Sequence, residues 1–186
     1  MATSEDTDTS TAPGELELVR RFVNTYDAEL DTDEISHPGS LSEWLSGAGL
    51  SDEFDASPGD VERVRSAREA LRALLFANNG SETDGGDAGD RLNDALAGCS
   101  LEVRFEDGRA VLAPVGTGAD VALARIGAIV REAMLDGTWE RLKACPADDC
   151  QWAFYDRSRN RSRTWCNMEL CGNRSKVRAF RERRSG

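Results

Sequence analysis

The chain reads as mainly α with a small β-hairpin, an α+β body that ends in a compact, cysteine-clustered module. Three observations predict this. Apolar residues recur at helical spacing in several long segments. A single stretch, Leu101 to Leu112, alternates about an Asp-Gly pair. Four of the five cysteines fall within the last 42 of 186 residues, as CPADDC and CNMELC.

Each element follows in order. Residues 1–14, rich in Ser, Thr and Asp, are too polar to bury a core and predict a disordered leader. Order is expected from Glu15, where Leu16, Val19, Phe22, Val23, Tyr26 and Leu30 form one helical stripe. Leu41, Trp44, Leu45 and Leu50 predict a short helix after Pro38-Gly39, ending near Gly47 or Gly49. Ser57-Pro58 opens the next helix, with Val61, Val64, Leu71, Leu74 and Leu75 inward. On that helix Arg63, Arg65, Arg68 and Arg72 alternate with Glu62 and Glu69 on what reads as the solvated side.

Residues 78–90, NNGSETDGGDAGD, read as a mobile loop, and they are no phosphate loop because the GK[ST] pattern is missing. A helical patch at Leu92–Leu96 leads into the hairpin, where Leu101, Val103 and Phe105 precede Asp107-Gly108, and Val111 and Leu112 follow. From Asp120 to Lys143 the pattern predicts a long central helix, apolar on more than one side, with Trp139 and Leu142 on it. It would deliver the chain directly into Cys145.

Charge divides the chain at that point. Residues 145–186 hold 10 Lys+Arg against 5 Asp+Glu, a balance of +5, so residues 1–144 carry −16 of the total −11. An acidic body thus bears a cationic head. Lysine is confined to Lys143 and Lys176, as either a salt-rich cytoplasm or a GC-rich coding bias would produce. The acidic N-terminus has no basic and apolar leader, and no stretch approaches membrane-spanning length, which argues against export and membrane insertion. A cytoplasmic location is expected.

Cys145, Cys150, Cys166 and Cys171 form two C-x4-C pairs with fifteen residues between them. Two disulfides or one tetrahedral metal site would both use this set. In a reducing compartment clustered thiolates serve metal ions more than bridges, and soft sulfur ligands select zinc over calcium or magnesium. Four protein ligands leave no open position, so one structural Zn2+ is expected, not a catalytic one.

Within the head, Trp152, Phe154 and the stretch Arg163–Cys166 predict two short strands that bring the cysteine pairs together, and a helix capped by Asn173 follows, with Val177 and Phe180 inward. This makes a small four-cysteine zinc finger, ββα or treble-clef-like. Between the pairs, Arg157, Arg159, Arg161 and Arg163 occupy alternate positions; an extended run would point them one way, a turn at Arg159–Arg161 would present them around a hairpin tip, and either concentrates positive charge. Guanidinium forks bind phosphate oxygens, and a helix N-terminus adds N–H groups at the same place. The candidate nucleic-acid contacts are those four arginines with Asn173, Arg174, Lys176, Arg178 and Arg181, and base reading would fall to Arg178, Arg181 or Asn160.

The stretches CPADDC, FYDRSRNRSRTWC and CGNRSKVRAFRERR, with the tetrapeptide Cys171-Gly172-Asn173-Arg174, resemble the CGNR zinc-finger family over about residues 143–184. The opening LELVRRFVNTYD and the segment LSEWLSGAGL resemble the helical ABATE domain that precedes this finger in its relatives. After the polar leader over 1–14, the resemblance implies an ABATE-like domain over 15–143 and the finger over 144–186. It also implies a stress-responsive transcription regulator whose finger binds DNA. Gln151 departs from the family, which commonly has glycine there.

Other classes fit the residues less well. RNA binding or protein docking could use Trp152, Phe154 and Trp165, although these aromatics equally suit a tiny core around the metal. The opposite charges of body and head also allow an intramolecular contact between them. His37 stands alone in a Ser-His-Pro turn, which argues against an enzyme, and it reads as a loop residue. Asp31 and Asp33 read as solvated, and Cys99 as a small core residue. The oligomeric state is not written in these patterns.

Overall fold

The computed structural model describes residues 10–81 and 85–177, so expectations on 1–9, on 82–84 and on Arg178, Phe180 and Arg181 lie outside the described residues. Five α-helices and three two-stranded antiparallel sheets follow in order among them. Helix α1 (Leu16–Val23) leads to the short pair β1 (Tyr26–Asp27) and β2 (Thr32–Asp33). Helices α2 (Pro38–Gly47), α3 (Pro58–Asn78) and α4 (Gly85–Ala95) come next. The hairpin β3 (Ser100–Glu106) and β4 (Arg109–Val115) precedes α5 (Gly118–Asp136). A 3-10 turn (Trp139–Arg141) then enters β5 (Leu142–Ala144), which pairs with β6 (Ala153–Tyr155). A π-helical turn, Met168–Gly172, continues as α-helix over 173–177.

The core lies where α1, α3 and α5 meet, around Val19, Phe22, Leu71, Leu75, Leu123 and Ile126. Local signals set the helix starts: Ser57 and Asp60 form a capping box on α3, and His37 caps α2 by accepting the Ser40 N–H at 3.2 Å through Nδ1. The lone histidine is therefore a helix cap, not merely a loop residue.

Several expectations are corrected. Ser10 and Ala12 are buried, and the Tyr155 N–H donates to the Ser10 carbonyl at 2.9 Å, so residues 10–14 of the expected leader belong to the fold. Helix α1 stops at Val23, where Thr25 bonds back to the Phe22 carbonyl through both its N–H and its hydroxyl, and Asp27 then accepts the N–H groups of Glu29 and Leu30 to close the β1–β2 turn. Tyr26 is thus in a strand, and Leu30 is 70% exposed. Residues 85–90 are helical: Ala88 and Ala95 are buried as α4 lies along α3, and tertiary packing overrides the weak helix propensity of glycine. The central helix ends at Asp136, where Gly137 takes φ +77, so Trp139 and Leu142 reach the core from the 3-10 turn and β5.

The arginines of α3 are not all solvated. Arg68 and Arg72 are each 2% exposed. Arg68 forks onto both oxygens of Asp33 at 2.7 and 3.0 Å, and both guanidiniums lie over the Tyr26 ring. Asp33, expected to be solvated, is half-buried by this pairing. Burial works to raise its carboxyl, but the Arg68 bonds outweigh that and hold it below its ordinary value.

Candidate metal centre and the arginine loop

Strands β5 and β6 form a hairpin whose connection is CPADDC. The Cys145 N–H donates to the Trp152 carbonyl at 3.0 Å, and the N–H groups of Cys150 and Gln151 return to Ala147. This knuckle places the first cysteine pair on a tight loop. Of the second pair, Cys166 precedes the π-helical turn and Cys171 lies on it, and the start of the turn is capped by Asn167 accepting from the N–H groups of Glu169 and Leu170. Asn173, expected to be the cap, lies inside the helix with φ −73 and ψ −40. The partner of β6 is β5, before Cys145, and not the 163–166 stretch, which runs without strand pairing.

The four sulfurs lie within 4.8 Å of one another, with Cys150 to Cys166 at 3.4 Å and Cys166 to Cys171 at 3.6 Å. A disulfide would need ~2.05 Å. Zinc–sulfur bonds of ~2.3 Å in a tetrahedron set sulfurs ~3.8 Å apart, so donor chemistry and spacing both fit zinc. Packed this closely, the thiols shift one another's acidity. Hydrogen bonds from Cys150 and then Cys166 pull the Cys145 thiol down to about 2, and the bond to Cys145 pushes Cys150 up to about 12. Cys166 is driven further upward, by Cys145 first and then Cys150. A divalent ion relieves that mutual repulsion, and the cluster is the site of one structural zinc.

Phe154 is fully buried against the sulfurs, with Trp152 and Trp165 partly buried beside it, so the aromatics form the core of the finger. A Cβ on buried Gly172 would stand 3.3 Å from Trp165 Cδ1 and would push aside the exposed Met168 side chain, whose Sδ lies 2.5 Å away. Arg174 donates to the Cys171 sulfur at 3.5 Å and pairs with Glu29 at 3.1 Å and Asp149 at 3.2 Å. It is an outer-shell partner of a ligand and a bridge to the body. Those bonds, Cys171 first, raise its pKa above the ordinary value.

The arginine loop is organised from inside by a buried ion pair. Lys143 Nζ donates to Asp156 Oδ2 at 2.8 Å and to the carbonyls of Arg161 and Arg163 at 2.7 and 3.0 Å. Asp156 also accepts the N–H groups of Ser158 and Arg163. Burial acts to raise the Asp156 carboxyl, but the Lys143 and Ser158 bonds hold it below the usual range. The loop therefore turns around a charge pair, with Arg161 at φ +53.

The predicted contact residues separate into two groups. Arg157 donates to the Thr11 carbonyl at 2.8 Å and lies over the Tyr155 ring. Arg161 pairs with Glu140 at 3.0 Å. Arg163 donates to the carbonyls of Trp165 and Cys166 and lies over Phe154. These three, with Arg174, hold the finger to itself and to the body. Arg159, Asn173 and Lys176 make no side-chain bond among the described residues and are exposed, as Arg157, Arg161 and Arg174 also are. Val177, expected inward, is 48% exposed.

Sequence patterns missed the residues that seat the finger. Asn24 pairs with both backbone groups of Ala153, at 3.0 and 2.7 Å. Asn78 donates to the carbonyls of Trp139 and Leu142, and Asn79 to those of Ala144 and Thr164. Arg72 reaches the Gln151 carbonyl at 3.0 Å. The only local sign was two adjacent asparagines at the end of a helix. Gln151 takes φ +55, a left-handed conformation that glycine adopts without strain.

Residues 16–137 match the ABATE family, described as "Putative stress-induced transcription regulator". The chain belongs to the ABATE family. Residues 141–184 match the CGNR zinc finger, so this ABATE protein has the two-part architecture that its motifs implied. No curated protein matches the chain. Neither family description is that of an enzyme. No helix among the described residues of the ABATE protein is long and apolar enough to cross a membrane.

Proposed function

We propose that this ABATE protein is a DNA-binding transcription regulator of the cytoplasm, in which the zinc-held finger touches DNA and the acidic body regulates it. The observation that carries the reading is the residue set left over once structural duties are assigned. Arg159, on the loop outside the Lys143–Asp156 pair, and Asn173 and Lys176, three residues apart on the terminal helix, are exposed and make no side-chain bond within the described residues. An acidic body repels phosphate, so only the +5 segment beyond residue 144 can approach a duplex. Phosphate contacts position a protein without reading bases, and specificity would need contacts at base edges.

The test is a salt titration of duplex binding by the zinc-loaded full chain, followed by fluorescence anisotropy. Arg159→Ala and Lys176→Ala should each lower the slope of log K against log salt by ~1. Arg163→Ala should instead loosen the finger, because its guanidinium is engaged with carbonyls around the metal. Competition with single-stranded RNA separates DNA from RNA. Slopes unchanged by both substitutions, or preference for the RNA, overturn the reading.

A further inference from the structure

Strand β3 pairs only with β4 among the described residues, and its other edge is open. All seven of its residues are exposed, including Phe105 at 81% and Val103 at 62%. Leu101, Val103 and Phe105 make one face of this strand apolar, and open edges are templates for another strand unless blunted. The outer edge of β4 is blunted. The hairpin closes through Asp107 and Gly108, both at positive φ, with Glu106 opposite Arg109 as the hydrogen-bonded closing pair of a two-residue turn. Alternation along the ladder then makes Leu101–Pro114, Val103–Leu112 and Phe105–Ala110 the pairs whose backbone groups point outward. Pro114 interrupts the β4 edge at such a position, since it has no N–H to offer. On β3 the outward groups belong to Leu101, Val103 and Phe105, and none is proline.

The sequence of β3 is complementary to itself in the antiparallel sense. With Val103 facing Val103 of a second copy, Leu101 faces Phe105 and Glu102 faces Arg104, twice over by symmetry. Backbone parity agrees, because a central residue with both groups outward exchanges two hydrogen bonds with its symmetry mate. The flanking Glu102 and Arg104 positions are then the closely spaced pairs, where opposite charges meet best. Moving the axis to Arg104 keeps the backbone parity, with Val103 facing Phe105, but it sets Arg104 against Arg104 and Glu102 against Glu106, so charge alone selects the register at Val103.

We propose that β3 pairs with β3 of a second copy about a two-fold axis at Val103, joining two hairpins into a four-stranded antiparallel sheet. Two seven-residue strands bury little area, so the dimer is a weak one, with a dissociation constant on the order of micromolar or above.

Sedimentation velocity on the zinc-loaded full chain, across a wide concentration series, tests this. The wild type should show a reversible monomer–dimer equilibrium. Arg104→Glu alone, or Glu102→Arg alone, puts like charges opposite one another and should weaken dimerisation by about tenfold or more. The double swap E102R/R104E should restore it. Val103→Pro removes an outward N–H while sparing the β3–β4 hydrogen bonds, and should abolish the dimer with zinc content and helical circular dichroism unchanged. If V103P unfolds, the exposed charge variants still decide the matter. A chain that stays monomeric throughout overturns the pairing, as does a dimer that V103P leaves intact. A dimer indifferent to R104E, or one that the double swap fails to restore, overturns the register.

Discussion

In the body, α1, α3 and α5 close over aliphatic and aromatic side chains, with Arg68 and Arg72 sealed in at one side. Beyond residue 144 the buried cluster is Cys145, Cys150, Phe154 and Cys171, too few atoms to hold a chain by hydrophobic burial. The finger is shaped instead by sulfur, by the Lys143–Asp156 pair, and by side chains of the body that bind its backbone. Asn24, Arg72 and Asn79 satisfy finger carbonyls that a free module would leave to water. The contrast teaches that this finger is an outgrowth of the body: β5 and β6 contribute Leu142, Ala144, Ala153 and Tyr155 to the body's own core.

Removing the metal is the strongest way to break that contrast. Structural zinc sites are worth on the order of 10–16 kcal/mol of apparent binding energy, so chelation should erase hydrogen-exchange protection over residues 163–177. Protection in α1, α3 and α5 should persist. Uniform loss of protection through the body would mean that the two regions fold as one unit.

Next in size is the buried ion pair. Lys143→Met leaves Asp156 charged and unpaired in the interior, and should cost about 3–5 kcal/mol in denaturant unfolding. The same pair sets an acid limit. Asp156 and Asp33 both have folded pKa values below the ordinary one, so their stabilisation is complete above ~4, the unfolded carboxylate value, and is lost as pH falls through the lower folded values. An acid titration of wild type beside K143M should show the wild-type advantage shrinking in that window.

Arg72→Met removes bonds to the carbonyls of Val23 and Gln151 and should destabilise by about 1–3 kcal/mol. It should also speed zinc release to a chelator, because the knuckle loses its anchor. An unchanged release rate would separate the knuckle from α3. The smallest effect belongs to Gln151→Gly. Relief of the left-handed φ favours glycine by roughly 1 kcal/mol, offset in part by the lost bond to the Asp148 carbonyl, so a slight rise in Tm is expected.

Much of the fold could be read directly. The stripe of α3, the capping Ser57-Pro58, the Asp107-Gly108 hairpin and the two cysteine pairs each carry their own local chemistry, and each appears where expected. Ends of elements were less legible. Tyr26 and Leu30 continue the spacing of α1, yet Asp27 turns the backbone, and a side-chain hydrogen bond leaves no trace in apolar periodicity. Arg68 and Arg72 have the same alphabet as solvated arginines, and only the arrival of Asp33, Tyr26 and the Val23 carbonyl makes their burial tolerable.

For the site the division is the same. Residue order alone was enough to name the zinc ligands, because thiolate softness and ligand number belong to the cysteines wherever the chain takes them. Which arginines stay available for a partner was decided by packing. Arg157, Arg161, Arg163 and Arg174 differ from Arg159 only in what the fold sets beside them, namely Thr11, Glu140, the Cys166 carbonyl and Glu29. A guanidinium's task depends on its neighbours, and those neighbours lie up to 146 residues away along the chain.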